Sequence, residues 1–174
     1  MGHIDIRRAC HEDLPHLVRA LGQGHYFLDR LNAQAVGHGI LLAAWQYSMV
    51  VGDVYLWLAQ AEEPELRVHL PDVPLITHLE VAEDQRNRGI GTELIRQAER
   101  CLWEAGFKRV ALGVAMDNEA AGRLYRRLGY VEWPHGEVAT TEVVFQSDGT
   151  RELRPELCRI MTKELEPGWA DDLR

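Results

Sequence analysis

No segment of this chain approaches the roughly 18 consecutive apolar residues of a membrane helix; its longest apolar run, residues 40–45, is strand length. No membrane partner is expected. Cysteine is scarce too. Cys10, Cys101 and Cys158 are too few, too scattered and odd in number for a disulfide framework. The first eight residues, MGHIDIRR, have neither the apolar core nor the cleavage site of a secretory leader, so the expected compartment is the cytoplasm. Positive charge is in deficit: 19 Lys and Arg against 27 Asp and Glu give a net charge of −8. A field of that sign repels phosphate backbones and attracts cationic small molecules or peptides. Nucleic acid is therefore not an expected partner, although a local basic pocket for an anionic ligand remains compatible. Ligand spacing is also missing among the eight histidines, and no metal is expected.

What remains is an ordinary globular composition, 46% apolar and 26% charged over 174 residues, enough to bury one core. Residues 1–166 read as one domain and 167–174 as a C-terminal tail. Alternation at 4–7 gives a first strand, and helical spacing gives helices over 12–21 and, more weakly, 26–36. Residues 40–45 and 50–58 form a hairpin through a turn at 46–48. Residues 60–74, acidic and carrying Pro64, Pro71 and Pro74, read as a surface loop. A strand at 75–82, a strongly amphipathic helix at 90–105 and a strand at 109–115 require a parallel crossover. A helix at 118–128 and strands at 138–145 and 157–163 complete the chain. The order implies an α+β fold (mixed α/β): a mostly antiparallel twisted sheet of about seven strands with about four helices on both faces.

Residues 79–95, LEVAEDQRNRGIGTELI, carry the chemistry. A strand enters a short loop, and Gly89 and Gly91 open a long helix. Glycines let the backbone approach a ligand, and the free N–H groups and dipole of the helix start form an anion site. Arg86 and Arg88 add cations there. A P-loop would need Lys before Ser or Thr where Thr92-Glu93 stand, and a dinucleotide fingerprint would need a third glycine; neither fits.

Arg86-x-x-Gly89-x-Gly91 after this strand resembles the acetyl-coenzyme A loop of the GNAT superfamily of N-acetyltransferases. Residues 118–130, NEAAGRLYRRLGY, resemble the second motif of that family. The resemblance implies an acetyl-CoA-dependent N-acetyltransferase whose co-substrate lies in a gap between splayed strands. Leu79 and Val81 would pair with the pantetheine arm. Backbone amides over Arg86, Asn87, Arg88, Gly89, Ile90 and Gly91, with the Thr92 hydroxyl, would hold the pyrophosphate. Asn118 would touch the pantetheine or adenosine portion, its other reading being a plain helix N-cap. Tyr125 would be the general acid that protonates the leaving thiolate; by spacing alone it also fits core packing.

The base is open. His78 and Glu80 share one strand face unless a bulge intervenes, and the positions where relatives place a base are Leu75 and Thr77 here, which cannot serve. Glu80 ranks first, His78 second, with loss of the proton through water close behind. An acceptor pocket is expected from Tyr26, Trp57, Glu62, Glu63, Glu65, Asp72, Trp133 and Glu137, aromatics and acids suited to a small cationic amine or a peptide N-terminus. The rival class is a module that binds coenzyme A without turnover, as a sensor or assembly partner. Acetylation of charged transfer RNA, known among relatives, is disfavoured by the net charge. The final strands and a Trp-containing hairpin offer surfaces for a homodimer.

Overall fold

The computed structural model describes residues 2–167; the tail expected over 167–174 lies outside the described residues from 168 onward. Eight strands and five α-helices occur among them: β1 (Asp5–Arg8), α1 (Leu14–Leu21), α2 (Gly24–Ala35), β2 (Gly39–Gln46), β3 (Met49–Trp57), α3 (Pro64–His69), β4 (Leu75–Val81), α4 (Ile90–Glu104), β5 (Arg109–Ala115), α5 (Glu119–Arg127), β6 (Val131–Glu132), β7 (Val138–Phe145) and β8 (Arg151–Glu164). The strands form one sheet in the order β1-β2-β3-β4-β5-β8-β6, with β7 attached to β8. All pairings are antiparallel except β4 with β5, the crossover demanded by the sequence.

The β2–β3 hairpin closes through Tyr47 and Ser48, both at positive φ (51° and 66°), the backbone that matches a two-residue turn to strand twist. Helices cover both faces of these strands, so their side chains are buried in both directions. On one face Leu42, Ala44, Val54 and Leu56 pack under α4, where Ile90, Leu94, Ile95, Ala98 and Leu102 form the apolar stripe. On the other, Leu41, Ala43 and Tyr55 pack against Leu17 of α1 and Phe27 and Leu31 of α2.

Three sequence readings change. Residues 60–74 hold α3 rather than only loop. Pro64 occupies the first turn of that helix, where a missing N–H costs nothing, and Leu66 and Leu70 bury one turn apart. Strand β8 begins at Arg151, well before 157, because its first half pairs with β7 alone. Trp133, expected to line an acceptor pocket, is 5% exposed and packed with Leu66, Leu70 and Ile160 in the core.

Candidate active site

Strands β4 and β5 separate almost as soon as they meet. Only Leu75↔Ala111 and Ile76↔Leu112 are paired, while β4 stays paired with β3 out to Val81. From Thr77 to Val81 the edge of β4 that faces β5 is therefore open, and backbone groups there have no strand partner. The gap leads to the start of α4. The first amides of that helix have no intrahelical acceptor, and the preceding loop curls through two left-handed residues, Asn87 (φ 62°) and Gly89 (φ 80°), the kind of curvature that turns successive N–H groups inward on an anion. A Cβ on Gly89 would meet no atom within 4 Å, and one on Gly91 only Leu79 Cδ2 and Val81 Cγ2 at 3.8 Å. The space above Gly89 is open, and at Gly91 a Cβ would meet the protein's own packing only at ordinary contact distance.

The residues singled out in this region take distinct places. Leu79 and Val81 are partly buried against the α4 core, and the Ile90 side chain is fixed in it at 3% exposure. Arg86 Nε donates to the Val81 carbonyl at 3.2 Å and Arg88 Nη1 to Gln85 Oε1 at 3.3 Å. Both cations thus flank the strand-to-helix loop. Asn118 is the N-cap of α5, its Oδ1 accepting from the Ala121 amide at 3.1 Å. Tyr125 is 7% exposed and edge-on to Tyr130, ring centroids 5.5 Å apart. Its hydroxyl has no hydrogen-bond partner among the described residues. Burial pushes that phenol up to about 12.

The opposite face carries the carboxylates. Between β3 and β4 the register jumps from Tyr55↔His78 to Leu56↔Ile76, so Thr77 bulges and is exposed. The bulge puts Ile76 on the α4 face with Leu79 and Val81, and leaves His78 and Glu80 together on the α2 face. There they meet a residue the sequence did not single out. Asp53 lies directly across from Glu80 in the β3–β4 pairing and is 0% exposed. His78 Nε2 stands between them, 3.5 Å from Asp53 Oδ1 and 3.3 Å from Glu80 Oε2. Tyr26 of α2 roofs the imidazole at 4.7 Å between ring centroids, and Gln23 Nε2 donates to Glu80 Oε2 at 3.1 Å.

The electrostatics of this trio follow from burial and contact. Burial pulls the His78 pKa down, but the neighbouring carboxylates of Asp53 and Glu80 outweigh it and raise it to about 9. Burial raises the Asp53 pKa, His78 opposes that rise, and the charge of Glu80 adds to it. A nitrogen set between two carboxylate oxygens at these distances holds a proton well, and the cluster reads as a proton site. A lone acid inside the apolar run of β3 was the one sequence signal for Asp53.

The expected acceptor pocket is only partly assembled. Tyr26 belongs to the cluster, but Trp57, Tyr26 and Tyr55 are already stacked by Arg30 of α2, at 5.4, 5.1 and 4.7 Å from the ring centroids. The cation these aromatics serve is the protein's own. Glu62, Glu65, Asp72 and Glu137 are exposed and Glu63 is half-buried, and none is hydrogen-bonded or ion-paired to the His78 cluster. The tip of the β7–β8 hairpin instead reaches α2, where Arg151 Nη2 pairs with Asp29 Oδ1 at 3.2 Å.

Comparison with known proteins identifies the family and the fold. Residues 5–130 match the family described as the Acetyltransferase (GNAT) family. A stretch of 56 residues is 38% identical to the N-alpha-acetyltransferase MAK3 of Arabidopsis thaliana, covering 32% of this chain and 30% of that protein. Another of 68 residues is 37% identical to the mycothiol acetyltransferase of Corynebacterium aurimucosum, covering 37% of this chain and 22% of that one. The matches thus span less than a third of either relative. Among solved structures, the PaiA N-acetyltransferase of Thermoplasma acidophilum in complex with coenzyme A superposes with a TM-score of 0.63 at 16% identity, over 93% of this chain and 99% of that one.

Proposed function

The chain belongs to the GNAT family of acetyltransferases, and on that premise we propose that it moves the acetyl group of acetyl-CoA directly to the amine of a small cationic acceptor. The observation that carries this reading is the early parting of β4 and β5 beside a glycine-lined helix start. An extended arm needs an open strand edge, a pyrophosphate needs convergent amides, and the chain supplies both in sequence. Leu79 and Val81 would pair with the pantetheine, and the backbone from Arg86 through Gly91, with Thr92, would take the phosphates. Arg86 and Arg88 add positive charge, and Asn118 lies at the start of the helix that carries Tyr125.

Tyr125 belongs to the same apolar cluster as Leu79, Val81 and Ile90 on the α4 face, whereas Glu80 and His78 lie on the α2 face. Acid and base therefore address the gap from opposite sides. The neutral amine attacks the thioester carbonyl, so the new C–N bond forms as the C–S bond breaks. Tyr125 gives its proton to the departing thiolate, and Glu80 takes the proton that the nitrogen sheds. His78 is a poor candidate for that task at neutral pH because it already holds a proton. Two carboxyl groups, Asp53 and Glu80, beside one imidazole suit an acceptor whose positive charge lies on a group other than the neutral amine that attacks.

Calorimetric titration with acetyl-CoA, 3′-dephospho-coenzyme A and NAD, followed by thiol release across a panel of amines, tests the proposal. Selective binding with transfer to cationic amines supports it. Binding without turnover on any amine moves the reading to a coenzyme A sensor, and no binding by folded protein ends it.

A further inference from the structure

Asp53 is a carboxylate in a place where carboxylates rarely survive. It is 0% exposed, and neither of its oxygens has a hydrogen-bond partner among the described residues. An uncompensated charge in such a site is strongly disfavoured, because burial removes its hydration and no partner replaces it. It also faces Glu80 directly across the strand pair, where like charges repel. Among the described residues one cationic group ion-pairs with it, His78 at 3.5 Å. The surroundings allow little else. Tyr26 and Arg30 come from α2, Gln23 from the turn before it, Tyr55 from β3 and Glu80 from β4; Arg30 is engaged with Asp29 at 3.6 Å and with three aromatic rings. The Tyr26 hydroxyl is itself sealed and unpartnered.

We infer that Asp53 is a positioning residue for acetyl transfer: it keeps one proton on the Asp53–His78 pair, and thereby leaves Glu80 as the group that takes the acceptor's proton. The inference rests on the reading of Glu80 as proton acceptor. Asp53 touches no reacting atom. It acts through His78, whose Nε2 also contacts Glu80 Oε2 at 3.3 Å. The pair titrates as a unit, so the retained proton belongs to both residues. Without the Asp53 charge, burial alone acts on the imidazole together with Glu80, and His78 becomes neutral and available near physiological pH.

The test is a titration of the full chain labelled with 15N-histidine, with His78 assigned by its disappearance in His78→Gln. In the wild type both ring nitrogens should stay protonated past about pH 8, and Asp53→Asn should lower the midpoint by about one pH unit or more. With an amine that turns over, the limb of the kcat profile due to His78 should move toward neutrality by the same amount, with acetyl-CoA affinity unchanged. A wild-type midpoint near the ordinary value of about 6.5, or one that Asp53→Asn leaves in place, overturns the inference. Should Asp53→Asn fail to fold, the wild-type midpoint and its displacement in Asp53→Glu decide. The titration needs no acceptor, so a protein without transferase activity overturns the proposed function while the charge on His78 is still read; an active enzyme with an unperturbed His78 overturns the role of Asp53 alone.

Discussion

Asp53 and Glu80 stand directly opposite each other on β3 and β4, two carboxylates in one cross-strand pair with the imidazole of His78 in contact with both. A proton on that ring relieves their repulsion, so the fold and the protonation state of the site are linked.

The link predicts the pH dependence of stability. The His78 pKa is raised in the folded protein to about 9, against about 6.5 in an unfolded chain. The folded state therefore binds the proton more tightly. Its contribution is fully present below about pH 6.5 and is lost as pH rises through about 9. Thermal unfolding of the wild type should fall by on the order of 5 °C across that window, and His78→Gln should remove most of the slope. A wild type as stable at the top of the window as at its foot would mean that His78 is neutral in the fold.

Tyr125 answers to a different measurement. Burial raises its phenol to about 12, so it remains a proton donor across the usable pH range. Tyr125→Phe should lower kcat by roughly ten- to a thousand-fold with acetyl-CoA affinity nearly intact, and the wild-type rate should show no alkaline limb from this residue below about pH 11. An unchanged kcat would return Tyr125 to the apolar core in which its ring already sits.

The two halves of the site differ in how plainly the sequence announces them. The loop from Arg86 to Gly91 is local: strand end, glycines and helix start are neighbours in the chain, and their order alone indicates a ligand-binding backbone. Asp53 is not local. It reaches Glu80 because β3 and β4 run antiparallel across an intervening stretch that holds α3, with a register set by the bulge at Thr77. A bulge is a cooperative outcome of packing on both faces, and no single residue signals it. The same limit explains α3, where Pro64 and the prolines that follow at 71 and 74 read as breakers until Leu66 and Leu70 are seen buried beneath it. Tyr26 and Trp57, assigned to an acceptor, mislead for a third reason, since Arg30, 27 positions before Trp57, lies over both rings.

Gly91 separates folding from binding. A methyl group there would touch Leu79 and Val81 at 3.8 Å, an ordinary contact, and alanine in a helix is favoured over glycine by about 0.5–1 kcal/mol. Gly91→Ala should therefore raise the melting temperature slightly while weakening acetyl-CoA binding, and Gly91→Leu should abolish binding in a folded protein. Calorimetry beside a thermal melt reads both effects. Undiminished affinity in Gly91→Leu would place the phosphates elsewhere.

The β7–β8 hairpin offers the last prediction. Its distal half, Arg151 to Leu157 on β8, pairs only with β7, and a two-stranded ribbon is marginal without further contacts. The contacts at its tip fall on α2: Arg151 pairs with Asp29 at 3.2 Å and lies over Phe145 at 5.4 Å, while Phe145 packs against the α1–α2 core. The same helix supplies Tyr26 over His78, so the clasp ties the arm to the roof of the proton site. The pair is partly exposed, with side chains 62% and 33% accessible, and its loss should change global stability by less than about 1 kcal/mol. Its effect should appear in acceptor binding. Arg151→Asp should raise KM for the amine several-fold with acetyl-CoA affinity unchanged, and adding Asp29→Arg should restore it by rebuilding the pair with the charges exchanged. An equal KM in all three proteins would show that the arm only rests on α2 and takes no part in holding the acceptor.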